Sequence, residues 1–463
     1  MSYFSKTPAT TPCNMQEENN QKRFKRAQWS AFIAITIGYS MYYVCRTSLN
    51  VVKKPIMDAG ILDASALGVI SSALLFTYAI GKFINGFLAD HSNVKRFMAT
   101  GLLLSTVANV VVGILGFISL QQTIISTAVF YVIFAICWGV NGWCQSIGAP
   151  CSVVTLSRWF ALSNRGTFYG FWSLSHNLGE FFSFLLVGGL VSLFGWQFGF
   201  IGAAIAGVIG VLLVVFLLHD SPEAKGFPSV AVIAGEEKQS DAPKDKSVGM
   251  AQKAVLRNPY VWVLAFASAF MYVSRYAVNG WGVLFLQEAK GFTLANATQI
   301  ISINALLGII GTVFSGWLSD TAFKGNRYIP AVAAGLLEVI ALVLFAFGGS
   351  AAWINIVAMV LFGIAIGVLI CFLGGLMAVD IVPREASGAA LGVVGVASYA
   401  AAGLQDIASG LLIDSHKTLT GMVDGVEQYT YDFHYALWFW IIAAILSVAL
   451  VCVVWHKAKS NTH

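Results

Sequence analysis

"YVCRTSLN", Tyr43 to Asn50, places an arginine near the end of an apolar run that begins around Trp29, with no acidic residue within ten positions of Arg46 on either side. The same pattern, Tyr-Val-x-Arg-x-x-x-Asn, returns as "YVSRYAVN", Tyr272 to Asn279, again inside an apolar segment. A cation in hydrocarbon costs at least ~2.5–3.5 kcal/mol on insertion scales. A chain that repeats this expense in two similar settings has a use for the charge.

The surroundings are lipid. Of 463 residues, 57% are hydrophobic and 11% charged, with a mean hydropathy of +0.76, against about 25% charged in a soluble domain. Apolar stretches of about 20 residues, enough to cross roughly 30 Å of hydrocarbon, recur along the whole chain. The short alternating segments of a β-barrel are missing. The expected fold is therefore an all-α membrane protein with twelve transmembrane helices, near 28–50, 64–89, 97–118, 123–147, 166–193, 196–218, 258–286, 296–319, 328–348, 352–379, 386–413 and 434–455. The seven cysteines include no C-x-x-C pair, so neither a disulfide framework nor a zinc site is expected. No metal or other cofactor is expected, and no nucleophile–base pair suggests an enzyme.

A polar stretch, 219–257, separates six spans from six. It reads as a flexible cytoplasmic linker between an N-terminal half, 28–218, and a C-terminal half, 258–456. Polar cytoplasmic tails, 1–27 and 457–463, lie at the ends, the first expected to be unstructured. With the N-terminus in the cytoplasm, 20 of the 27 lysines and arginines fall in inside loops and tails, as the positive-inside rule requires. Lys53, Lys54, Lys290 and Lys417 are assigned to the outside, and Arg46, Lys82 and Arg275 to the membrane. The net charge of +5 then reports topology, and nucleic acid is not a partner.

The halves are repeats. Arg275 follows Arg46 by 229 residues, and "GWLSDTAFKGNR" at Gly316 follows "GFLADHSNVKR" at Gly86 by 230. Parallel repeats with a site at their interface are the architecture of a secondary transporter. In the repeated loop, Gly86 and Gly316 are expected to allow close helix approach. Asp90 with Arg96, and Asp320 with Arg327, are expected to form a gating latch that breaks as the halves rock.

Spacing groups the polar residues into stripes. Tyr39, Tyr43, Arg46 and Asn50 share a face of the first helix, and Tyr272, Arg275 and Asn279 a face of the seventh. Tyr78, Lys82 and Asn85 line up on the second; Ser173, His176 or Asn177, and Glu180 on the fifth. Such stripes are expected to line a shared water-filled path. A structural alternative for the arginines is a long-range ion pair, with Glu180 or Asp406 foremost. Two guanidinium forks converging across a pseudo-symmetry axis suit a phosphate, which accepts paired hydrogen bonds from both; a carboxylate comes next. An unperturbed histidine titrates near neutrality, and His176 is expected to be either a partner of bound phosphate or a core residue. Two arginines left unneutralised should slow reorientation of an empty carrier, favouring exchange over net flux.

The repeated loop resembles the signature of the major facilitator superfamily. "GYSMYYVCRTSLN", "YAIGKFINGFLADHSN", "RGTFYGFWSLSHNLG" and "MYVSRYAVNGW" further resemble the organophosphate:phosphate antiporter family over nearly the whole chain. That resemblance implies phosphate binding by Arg46 and Arg275 with help from His176, and a pathway lined by Lys82, Tyr39, Tyr43, Tyr78, Tyr272 and Tyr399. It implies exchange of a sugar phosphate for inorganic phosphate across a bacterial inner membrane, by a monomer with both termini cytoplasmic. The chain departs from the family pattern at Thr47, at Asn279–Gly280, in "GVLICFLGGLMAVD", and in its acids Glu180 and Asp406. Fewer cations and added acids favour a larger polyhydroxyl ligand such as glucose 6-phosphate. Glycerol 3-phosphate exchange, and a transporter-like sensor of external sugar phosphate, are the alternatives.

Overall fold

The structure, a computed structural model, describes residues 12–119, 126–235, 255–323, 326–382, 387–423 and 426–460. The expectations placed on the tail before residue 12, on most of the linker (236–254), and on Lys324 and Arg384 lie outside the described residues.

Twelve long helices make up the described chain: α1 (Pro12–Asp58), α2 (Ala64–His91), α3 (Val94–Ser119), α4 (Thr127–Trp159), α5 (Leu162–Phe194), α6 (Trp196–Leu217), α7 (Pro259–Glu288), α8 (Leu294–Thr321), α9 (Tyr328–Phe347), α10 (Ala352–Cys371), α11 (Ser387–Ser415) and α12 (His434–Ser460). Among the described residues, eleven are long and apolar enough to cross a membrane. The twelfth, α1, is diluted by its own polar residues, including Ser40, Arg46, Thr47, Ser48 and Lys53, all buried. It also starts earlier than expected: the polar segment from Pro12, read as unstructured, is helical, because Gln, Glu, Lys and Arg are good helix formers. Past Cys371, α10 continues through a π-helical turn, Phe372–Leu376, into Met377–Asp380; π-turns bend a helix where its regular ladder is interrupted.

Packing repeats between the two sets of six. In the first, α1 lies on α5 and α6, α2 on α4, and α3 on α4 and α6; in the second, α7 lies on α11 and α12, α8 on α10, and α9 on α10 and α12. The sets meet where α2 crosses α11, where α5 crosses α8, and where α1 faces α7. The α2–α11 crossing is tight: a Cβ on Gly68 would stand 2.5 Å from the Asp406 carbonyl oxygen, so only glycine admits that approach. Faces turned away from the bundle carry exposed apolar side chains such as Ile136, Ile205 and Phe216, which hydrocarbon solvates without cost.

Helices do not account for everything. Between α11 and α12 an antiparallel hairpin pairs β1 (Lys417–Val423) with β2 (Val426–Tyr431), Lys417 opposite Tyr431, with an irregularity between Leu419 and Gly421. Thr, Val and Tyr on either side of Asp424–Gly425 are a hairpin signal in the sequence.

Candidate functional site

Arg46 sits on a backbone held from outside its own helix. The carbonyl of Cys45, one residue earlier, accepts hydrogen bonds from Asn109 Nδ2 of α3 at 2.9 Å and Asn141 Nδ2 of α4 at 3.1 Å. Ser48 Oγ donates to Asn109 Oδ1 at 2.9 Å, and Gln145 Nε2 donates to Ser105 Oγ at 2.8 Å. In a membrane such inter-helix bonds fix register where hydrophobic contrast between helices is weak. On the other side, Gly179 of α5 lets that helix close on α1: a Cβ there would meet the Ser40 carbonyl oxygen at 2.4 Å.

The two arginines converge on one tyrosine. Arg46 Nη2 donates to the Tyr276 hydroxyl at 2.7 Å. The Tyr276 ring centre lies 5.7 Å from the Arg46 guanidinium carbon and 5.6 Å from that of Arg275. Arg46 also lies over Tyr78 at 4.5 Å and near Tyr43 at 5.5 Å and Tyr399 at 5.7 Å; Arg275 lies 5.7 Å from Tyr272. Both arginines are 6% exposed. Ring faces stabilise a desolvated cation without using up its N–H donors.

Their charges are not balanced alike. Arg275 Nη2 lies 3.8 Å from Glu180 Oε2, whose other oxygen accepts from Asn279 Nδ2 at 2.7 Å. Among the described residues no carboxylate lies within ion-pair distance of Arg46. The long-range pair kept open from sequence is thus present for one arginine and absent for the other.

Below the arginines lies a cavity of about 720 Å³, lined by Tyr39, Tyr78, Lys82, His176, Tyr272 and Tyr399 among others. It reaches Gly166 and Thr167 at the start of α5, the end of the bundle where α2 turns into α3. Gly374 and Gly375 of the π-turn form part of its wall. Lys82 is exposed in it, 5.3 Å from the Tyr399 ring centre; the His176 ring is 5.9 Å from that of Tyr43. Above the arginines a pocket of only about 30 Å³ is lined by Asn50, Ser71, Glu180, Asn279 and Asp406. Arg275 and Tyr43 border both spaces.

The opposite end is sealed. Lys54 of α1 pairs with Glu288 of α7 and with Asp58 at 3.0 Å. Ser65 Oγ of α2 donates to Asp414 Oδ2 of α11 at 3.0 Å. The hairpin lies over this seam, Gln428 Nε2 donating to the Asp58 carbonyl at 3.3 Å. A Cβ on Gly60, whose φ is +67°, would stand 2.7 Å from Val426 Cγ1. Just inside, Lys53 Nζ lies 3.5 Å from the Trp281 ring centre, and Trp281 Nε1 donates to Asp406 Oδ1 at 3.0 Å.

A bundle with repeated packing, a central cationic site and one closed end is a transporter architecture, and residues 35–405 match the model of the Major Facilitator Superfamily. The chain belongs to that superfamily. Its relatives include the membrane sensor protein UhpC of Salmonella typhimurium, 30% identical over 87% of this chain and 89% of that one. The glycerol-3-phosphate transporter of Bacillus subtilis is 29% identical over 98% of each chain. A probable hexose phosphate transport protein of Chlamydia trachomatis is 30% identical over 84% of this chain and 86% of that one. The organophosphate:phosphate antiporter resemblance of the motifs agrees with these names. Among solved structures, a bacterial homolog of the human lysosomal transporter Spinster, in an inward-facing and occupied conformation, superposes with a TM-score of 0.68 over 92% of this chain and 96% of that one, at 14% identity. A variant of the nucleoside transporter NupG gives 0.68 over 93% and 99%, at 15%; at these identities the likeness is one of fold. This chain is thus a multi-pass membrane protein of a sugar-phosphate and glycerol-3-phosphate transporter family, and not an enzyme.

Set against that superfamily's layout, several sequence expectations change. Asn85 does not face the cavity: it is buried and donates to Ser146 Oγ of α4 at 2.7 Å, because its helix face turns toward α4 at that level. Asn177 likewise faces Gly308 of α8, leaving His176 at the cavity. Gly86 has nothing within 4 Å of where a Cβ would stand, since the helices are apart at this open end. Asp90 and Arg96 are exposed and make no latch in this conformation; the Asp90 carbonyl accepts from Arg158 Nη2 at 3.4 Å instead. Arg327 pairs with Asp380 at 3.0 Å within its own six-helix set, and the Asp320 side chain lies outside the described residues. Lys53, assigned to the outside, is 1% exposed, because α1 continues unbroken to Asp58. Thr47, one of the positions where the chain departs from the family pattern, bonds back to the Tyr43 carbonyl at 2.8 Å. Its counterpart after the second arginine is Tyr276, the bridging residue that spacing alone did not select.

Proposed function

We propose that this protein carries a sugar phosphate across the membrane in exchange for inorganic phosphate, with the phosphate gripped between Arg46 and Arg275. The observation that carries the reading is their convergence on Tyr276, between an open cavity that Arg275 borders and a small closed pocket that Arg46 and Tyr276 line, with Arg46 free of any described carboxylate. Guanidinium forks are matched to phosphate in geometry as well as charge. Lys82 at the cavity wall attracts the anion on its way in, and the tyrosines flank its path. His176 faces the same space and is the remaining polar partner.

The conformation is inward-facing on this reading, with Lys and Arg placement putting both termini in the cytoplasm and the membrane being a bacterial inner membrane. The protein acts as a monomer. Hexose phosphate is the preferred organic substrate: the acid beside Arg275 disfavours a carboxylate on the substrate and suits hydroxyl groups. Glycerol 3-phosphate is the competing substrate, as the Bacillus subtilis relative's name indicates.

The test is counterflow in proteoliposomes preloaded with phosphate, against glucose 6-phosphate, glycerol 3-phosphate and phosphoenolpyruvate. Glucose 6-phosphate should drive the fastest exchange. Arg46→Lys and Arg275→Lys should each lower it at least ~10-fold, since a charged hydrogen bond is worth ~1.5–3 kcal/mol and ~1.4 kcal/mol is tenfold. Near-normal exchange in either variant refutes the grip. Binding of sugar phosphate without any flux would instead assign the chain the sensor role that the Salmonella typhimurium relative's name describes.

A further inference from the structure

Glu180 is the one acid set against the arginine pair, and the exchange reading gives it no task. It is 5% exposed, on α5, across the seam from the α7 residues it contacts, Arg275 and Asn279. Both of its oxygens are engaged by groups of the opposite six-helix set. At 3.8 Å from Nη2 it occupies the arginine's charge while leaving the rest of the fork open.

We propose that Glu180 is a proton-coupling residue: it neutralises Arg275 in the empty carrier, is displaced when a phosphate takes that arginine, and binds a proton from the cavity as it leaves. The inference rests on the phosphate reading. Charge decides it. Arg46, Arg275 and ionised Glu180 leave the empty site with one net positive charge. A phosphate dianion would turn that into one net negative charge, with two anions in contact in a low-dielectric pocket. Protonating Glu180 brings the loaded site to zero, the state that crosses a dry barrier most easily. The empty site keeps its positive charge and crosses slowly, so exchange is preserved. Each loaded crossing carries a proton with its phosphate.

The charged and titratable groups around Glu180 are few, and the Glu180→Gln arm of the test below separates its proton from theirs. Facing Glu180 from α1 are Tyr43 and Arg46, from α7 Arg275 and Tyr276, and from α11 Asp406, which Lys53 and Trp281 accompany. On α5 itself His176 stands one turn away, at the open cavity. Elsewhere along α5, α8 meets it through Thr298 and Gly308 and α6 through Gly199, while α2 and α4 bring Ser71 and Trp138 to the pocket that holds Glu180; none of these is ionisable. The proton enters where Arg275 and Tyr43 separate the small pocket from the open one.

The test is isothermal titration calorimetry of the full-length detergent-solubilised protein with inorganic phosphate, at about pH 8.5, where phosphate with a second pKa near 6–7 is a dianion. Repeating it in buffers of different ionisation enthalpy counts the protons taken up. Wild-type protein should take up about one proton per phosphate, its Kd weakening about tenfold per pH unit. Glu180→Gln keeps an acceptor for Asn279 and should bind phosphate more tightly, with no proton uptake and a flat pH profile. Equal uptake in both proteins, or none in wild type, overturns the proposal, and the wild-type count decides it alone should the variant misfold. Absence of phosphate binding in folded wild-type protein defeats the phosphate reading itself, an outcome distinct from binding without a proton.

Discussion

Neutralising Lys53 and Asp406, first singly and then together, should give a strongly non-additive result. Lys53 Nζ and Asp406 Oδ1 flank one point, 3.7 and 3.2 Å from where Gly280 would carry a Cβ, and Trp281 touches both. Both residues are buried, and Lys53 Nζ has no hydrogen-bond partner among the described residues. Lys53→Met therefore strands a buried carboxylate, and Asp406→Asn strands a buried ammonium with only the indole face beneath it. Uncovering one of two opposite buried charges costs ~3–5 kcal/mol where they compensate each other, whereas replacing both with neutral residues of similar volume is about neutral. At roughly 2 °C per kcal/mol in a long chain, each single variant should lose at least ~6 °C in Tm and the double variant only ~2 °C. The assay is fluorescence-monitored thermal unfolding of the purified protein in detergent, run as a double-mutant cycle. A double variant that loses the sum of the two single losses would show that the charges do not sense each other, and the packing argument for this end of α1 would fall.

Three further outcomes follow from the site and its seal. Tyr276→Phe removes the hydroxyl that takes Arg46 Nη2, a charged hydrogen bond worth ~1.5–3 kcal/mol, and should raise the Kd for phosphate about tenfold by calorimetry; an unchanged Kd would show that Tyr276 does not position the arginine. Gly68→Ala forces a Cβ against the Asp406 carbonyl, and overpacking of ~1–3 kcal/mol should open the sealed end. Labelling of an Asn50→Cys reporter by an impermeant maleimide from that side should then rise at least ~5-fold, and an unchanged rate counts against a seal at the α2–α11 crossing. Lys54→Met leaves Glu288 buried without its cation and should raise the same labelling, with Lys54→Arg behaving like wild type.

The sequence made the two arginines legible because duplication supplied an internal control: two cations at one offset, each on a face with tyrosine and asparagine. Helical spacing also pointed Tyr39, Tyr43, Tyr78, Lys82 and either His176 or Asn177 at a shared space, and the family resemblance added Tyr399. Spacing says which residues share a face of one helix, and nothing about which faces meet. That is why Asn85 and Asn177, in phase with cavity residues, turn instead to α4 and α8, and why the Glu180–Arg275 contact was only one of several open pairings. Tyr276 was missed because it is adjacent to Arg275, off the stripe, and is made a site residue by Arg46 on another helix. Lys53 lies beyond the apolar run that bounds the first span at residue 50, and hydropathy does not show that the helix goes on to Asp58.

The hairpin between α11 and α12 gives the molecule a handedness in energy that its duplicated helices do not have. Its counterpart position in the first six helices, between α5 and α6, is the single residue Gly195, with φ +99°. One end of the bundle thus carries a clasp reaching from the second repeat to the first, through Gln428 and Val426, and among the described residues the other end carries none. The clasp adds contacts made only when that end is closed, so it should shift the population toward the face opposite the hairpin. Apparent affinity scales with the fraction of molecules in the receptive state, so the same ligand should bind more weakly when offered from the hairpin side. Shortening β1 and β2 would then tune the sidedness of the carrier while leaving every residue around Arg46 and Arg275 in place.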